Sequence, residues 1–267
     1  MHPQPHVQVV AQIPPLKEDL KLAVLFGGLS ALATAALFPY LLVIVPHMFA
    51  KLPMPLWLVI VAQSLQAGVL LTLLSLAGLR LGHRVGLGAP WLRATLFGGE
   101  RTRQPWLAAI VLGLFSGLLI LGLDPLFAPY MPALLHPETP PTTGQASAAA
   151  GFLASFYGGI GEEVMLRLFL MTLLVWMQAK LERGRTHALH FWIAIVLAAV
   201  LLGVGHLPAA AEIWPLDAVV VARTLVLNGI AGLVFGWLYW KHGIESAMLA
   251  HFSADLMLHV LAPLAMG

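Results

Sequence analysis

Seven stretches of this chain, about 22–46, 56–79, 106–124, 146–178, 189–206, 217–240 and 244–262, are continuous apolar runs. A helix needs about 20 such residues to cross a bilayer. Lipid offers no water to satisfy the backbone, so a spanning segment must be a helix or a strand of a closed barrel. The runs do not alternate polar with apolar, which selects the helix. Only 10% of the residues are charged, against about 25% in soluble domains, which removes the soluble class. The expected fold is all-α, a polytopic transmembrane helix bundle of about seven spans, with eight the alternative. The chain reads as a single integral membrane domain over 1–267. Its parts are a polar N-terminus at 1–21, N-terminal spans and loops at 22–145, and a C-terminal helix bundle at 146–262, where any chemistry is expected from the ionisable residues described below. The fourth run is too long for one simple crossing, so it is tilted or begins as an interfacial turn at Gln145–Phe152.

Loop charges give the orientation. Eleven lysines and arginines fall on one side of the alternating loops and only Lys51 on the other; Arg167 and Arg223 lie within spans. The N-terminus is therefore expected in the cytoplasm and the C-terminus outside. The net charge of +2 comes from these loops and does not point to nucleic acid. The basic segment 80–105 reads as a topology determinant, with contact to anionic lipid as the alternative. His136–Gly144 reads as a proline-rich external loop. Met1–Lys21 lacks the basic-then-apolar pattern of a signal peptide. The chain has no cysteine, which excludes disulfides, thiol nucleophiles and Cys-ligated metals. Gly113-Leu-Phe-Ser-Gly117 and Gly232-Leu-Val-Phe-Gly236 are patterns of close helix packing.

Against this apolar background, Glu162, Glu163 and Arg167 fall within six residues of one span. A charge at a helix centre costs roughly 2.5–3.5 kcal/mol on insertion scales, so charges there mark a functional site. Glu163 and Arg167 are four apart and pair on one helix face. Glu162 is turned about 100° away and has no mate on its own helix, which suits it to act as a general base or acid. His206 closes the fifth span, and His251 and Asp255 share a face of the seventh. Asp255 is expected to orient the His251 ring. Arg223 and His259 complete the ionisable residues of the last four spans, and the first three spans contain almost none. Asn228 reads as an interhelical hydrogen bond, with an amide donor to the site as the alternative. Ser246 and Ser253 flank His251 without a nucleophile context, so direct attack by water is the economical mechanism. One free glutamate and two histidines on three spans can polarise water and stabilise an oxyanion.

These residues resemble the CAAX prenyl endopeptidase and bacteriocin-processing family of intramembrane proteases, also called Abi. Its EExxxR motif matches Glu162, Glu163 and Arg167; its FxxxH matches Leu202 to His206; its HxxxN/D matches His251 to Asp255. The resemblance covers roughly 150–262. It implies that Glu162 and His206 activate water, that His251 and the residue at 255 help hold the oxyanion, and that Glu163 and Arg167 support them. Two departures stand out. Leu202 replaces the frequent phenylalanine, and Asp255 stands where the best-studied branch has asparagine. An ionised aspartate would repel an oxyanion, so Asp255 must be protonated, orient His251 or bind metal.

The metal-free reading is preferred. The alternative is zinc on Glu162, His206 and His251, since zinc takes nitrogen and oxygen ligands. The expected partners are a peptide or lipidated protein substrate and membrane lipids, and no nucleic acid. The expected function is an intramembrane endopeptidase in a prokaryotic inner membrane. The alternative is a transporter or bacteriocin-immunity protein using the same residues as a proton relay.

Overall fold

The computed structural model describes residues 13–136 and 144–266. Among them, seven helices are long and apolar enough to cross a membrane. They are α1 (Leu16–Ile44), α2 (Leu56–Gly82), α4 (Trp106–Leu126), α5 (Gly144–Leu181), α6 (Ala188–Ala211), α7 (Ala218–His242) and α8 (Ile244–Ala265). A short helix, α3 (Pro90–Phe97), lies between α2 and α4. No strand occurs among the described residues. The protein is an integral membrane helix bundle.

α5 is the central helix, in contact with α1, α2, α6 and α8; α1 packs along α2, α6 along α7, and α4 along α8. Much of the periphery is apolar and left uncovered by protein. Leu65, Val69 and Leu73 of α2 and Leu107 of α4 are mostly exposed. An apolar surface of that extent suits hydrocarbon and not water. The small-residue patterns act in packing. A Cβ at Gly113 or Gly117 would collide with α8 at Ala250 and Met257, and one at Gly232 or Gly236 would crowd Ala199 and Ile195 of α6. Glycine at these positions lets the backbones approach. Ser253 donates within its own helix, to the Leu249 carbonyl, and Ser246 donates to Gln104.

Several expectations change. α1 begins at Leu16 and so takes up Lys17–Lys21, assigned above to the polar N-terminus. Glu18 and Asp19 occupy its first turn, where a helix favours negative charge. Residues 1–12 of that N-terminus, and 137–143 of the proline-rich segment, lie outside the described residues. No interfacial turn opens the fourth span, because α5 is helical from Gly144. Its 38 residues would extend roughly 57 Å, well beyond a hydrocarbon core of about 30 Å.

The basic segment 80–105 is not a plain loop. α3 forms within it, started by Pro90 in the first turn and ended by Gly98 at φ 84°. Asp19, fully buried, meets Arg80 at 2.9 Å, His83 at 3.0 Å and Arg93, while Glu18 meets Arg93 at 3.2 Å. Two of the five arginines in this segment thus tie α1 to α2 and α3. At the opposite ends of the helices, Arg223 pairs with Asp124 at 2.6 Å and lies over Trp214.

Candidate active site

The middle of α5 is π-helical over Tyr157–Glu162 and Val164–Met171. Such wider turns recur at functional sites. Here they carry the two adjacent glutamates toward the same neighbour on α8. Glu163 Oε1 lies 2.7 Å from His251 Nδ1, and Glu162 Oε2 lies 3.8 Å from His251 Nε2. The two carboxyl groups therefore bracket one imidazole ring.

Glu163 is fully buried and also forms the expected ion pair, with Arg167 Nη1 at 2.9 Å. Arg167, itself fully buried, donates from Nη2 to the Gly232 carbonyl at 3.2 Å and lies over the Phe235 ring. The His251 ring stacks on that phenylalanine, with centroids 4.5 Å apart. Arg167, Phe235, Glu163 and His251 thus form one packed unit.

The hydrogen bonds assign the histidine tautomers. His206 Nδ1 lies 2.9 Å from the Leu202 carbonyl oxygen. A carbonyl only accepts, so Nδ1 carries the proton and Nε2 presents a lone pair. The carboxylate of Glu163, paired with Arg167, likewise accepts from His251 Nδ1–H, which leaves its Nε2 free. Both free Nε2 atoms face Glu162: Oε1 lies 3.9 Å from His206 and Oε2 3.8 Å from His251. Oε2 is buried with no hydrogen-bond partner. A buried acceptor left in that state calls for a water or a substrate group. A separation near 4 Å between polar atoms is one that a single water can bridge.

Asp255 Oδ1 lies 3.8 Å from His251 Nε2. The expectation that Asp255 orients His251 is therefore corrected. The carboxylate at hydrogen-bond distance is Glu163, on the other nitrogen, and Asp255 faces the reactive side with Glu162. Gly158 provides the room, because a Cβ there would collide with Asp255 Oδ2 and come within 3.0 Å of His251 Nε2. Asn228 is corrected too. Its amide donates at 2.8 Å to the Thr224 carbonyl, one turn back on its own helix, and not across helices.

Two cavities meet here. One of about 490 Å³, between α1, α5, α6 and α8, is lined by Glu162, His206, His251 and Asp255 together with apolar Leu37, Leu41 and Met165. Another of about 380 Å³, lined by Asn228 and Phe235, shares His206, His251, Asp255 and His259 with the first. Glu162, His206, His251 and Asp255 thus converge, Glu163 and Arg167 stand behind them, and Asn228 borders the second cavity. Tyr40 of α1 was not foreseen: its hydroxyl lies 2.9 Å from His259 Nδ1, and both line the larger cavity.

A zinc ion with bonds of about 2.1 Å holds tetrahedral donors roughly 3.4 Å apart. The Glu162–imidazole separations of 3.8 and 3.9 Å are wider. Among the described residues no group of three or more His, Cys, Asp or Glu has a spacing that would hold a metal ion.

Comparison with known proteins agrees with the motifs. Residues 144–257 match the family model described as type II CAAX prenyl endopeptidase Rce1-like. No match was found among curated proteins or among solved structures. The match spans α5 to most of α8, the helices that bring Glu162, His206 and His251 together. Residues 144–257 are thus similar to the Rce1-like domain, in agreement with the CAAX prenyl endopeptidase family that the three motifs resemble.

Proposed function

We propose that the protein is an intramembrane endopeptidase that hydrolyses peptide bonds of membrane-associated peptides or lipidated C-terminal tails. The observation that carries this reading is the unpartnered Glu162 carboxyl group set between two imidazole Nε2 atoms, at 3.9 and 3.8 Å. A water bridging Glu162 and His206 loses a proton to this pair as it attacks the scissile carbonyl. The carbonyl carbon becomes tetrahedral and its oxygen takes the negative charge. His251, held by Glu163, takes up a proton at Nε2 from solvent before the attack, hydrogen-bonds that oxygen through it and keeps it when the carbonyl re-forms. Asp255 acts in its protonated form as a second donor, since an ionised carboxylate would repel the oxyanion. The proton taken from water then passes to the amide nitrogen, the C–N bond breaks as the carbonyl re-forms, and a carboxylic acid and an amine leave with the base restored. Each of these steps lowers the barrier by placing fixed groups where charge develops in a dry cavity.

The apolar wall of the larger cavity suits a substrate that carries hydrocarbon. The reading includes the orientation expected from loop charges, with the N-terminus in the cytoplasm of a prokaryotic cell. It routes no step through a metal, and the zinc content of active protein tests that choice.

The deciding experiment is cleavage of a quenched fluorescent peptide, with and without a prenyl group, by purified protein in detergent. Hydrolysis without any ion gradient is expected. A gradient-coupled flux with no cleavage would replace this reading with transport.

A further inference from the structure

A third cavity, of about 360 Å³, lies away from the candidate active site, between the end of α2 and the end of α5. It is lined by Arg84, Lys180 and Arg183, with Trp176, Val85 and Ala179 beneath. All three cationic side chains are exposed, and among the described residues none has a carboxylate within ion-pair distance. The neighbouring acid, Glu182, is occupied elsewhere. Its two oxygens meet His187 at 3.1 Å and His190 at 3.2 Å. Lys180 lies over the Trp176 ring, 5.2 Å from its centroid. Arg183 reaches the cavity from a left-handed turn at φ 56°, which non-glycine residues adopt rarely. One cation per helix end would answer the helix dipoles; here three share one concave site, with no counter-charge among the described residues.

We propose that this cavity binds a phosphate group. The chemistry is set by two guanidinium groups, whose planar donors match phosphate oxygens in pairs, and one ammonium. Trp176 and Lys180 are residue types that settle at the level of lipid headgroups. The shared ligand chemistry is a phosphate diester of an anionic phospholipid or a free phosphate. The site lies on the membrane face that carries most of the basic loops, the face expected to meet anionic lipid.

The test uses the full chain reconstituted in phosphatidylcholine vesicles containing a minor fraction of phosphatidylglycerol, then released for native mass spectrometry. Phosphatidylglycerol is expected to stay bound in preference to phosphatidylcholine. Each cation near the membrane surface is worth about a fivefold change in binding, so Arg84→Ala/Lys180→Ala/Arg183→Ala should weaken retention on the order of a hundredfold. A control variant, Lys17→Ala/Arg101→Ala/Arg185→Ala, removes the same charge from the same face outside the cavity and should keep the lipid. Should the triple variant fail to fold, Arg183→Gln alone is expected to lose about fivefold. Thermal stabilisation by inorganic phosphate, abolished in the cavity variant and without any lipid preference, would assign the site to a soluble phosphate. Equal retention of both lipids with no effect of phosphate, or equal loss in the control, would overturn the proposal.

Discussion

Glu163 holds Arg167 and His251 at once, and substitutions can separate the two effects. Glu163→Met leaves the Arg167 guanidinium, fully buried, with only the Gly232 carbonyl and the Phe235 face. Stranding one member of a buried ion pair costs about 3–5 kcal/mol, a large part of a typical stability of about 5–15 kcal/mol. For a chain of this size that is a fall in melting temperature of roughly 6–20 °C. The double variant Glu163→Met/Arg167→Met replaces the pair with apolar groups of similar volume. Such exchanges are neutral or stabilising by about 1–4 kcal/mol, so the melting temperature should recover. Activity should not recover, because His251 Nδ1–H has lost the acceptor at 2.7 Å that fixes its tautomer. Removing the equivalent carboxylate from a catalytic histidine costs up to about 10⁴-fold in rate. Melting in detergent and peptide hydrolysis on the parent, single and double variants make the comparison. A single variant as stable as the parent, or a double variant with the parent's rate, would refute the argument.

Gly158→Ala would drive a methyl group into Asp255 and His251. Overpacking of this kind costs about 1–3 kcal/mol, and hydrolysis should fall further than the change in melting temperature accounts for. Asp255→Asn keeps the shape and supplies an amide donor, so its rate should stay within about tenfold of the parent; a loss near that of a general base, on the order of 10²–10⁴-fold, would show that the carboxyl group must accept or move a proton.

The seven spans could be read from the chain because uninterrupted apolar runs have few solutions in lipid. α3 was hidden because its eight residues lie in a segment whose arginines draw attention to charge. The convergence of Glu162, His206 and His251 followed from motif order and from the high cost of burying such groups. The partner of His251 did not follow. Spacing of four on α8 suggested Asp255, whereas Glu163 reaches the ring from 88 residues away. Helix spacing ranks neighbours only on one helix, and the π-helical turns of α5 alter the angle at which Glu162 and Glu163 meet the next one. Asn228 shows the same limit, since a polar side chain within a span finds its own helix's carbonyl as readily as another helix. Tyr40 was silent because nothing in α1 announces that His259 lies opposite.

The central claim is that Glu162 moves the proton of the attacking water. Peptide hydrolysis by Glu162→Gln, purified in detergent and shown by melting to be folded, tests it most directly. The turnover rate should fall by at least about 10²-fold with peptide binding retained. Full turnover in that variant would contradict the account.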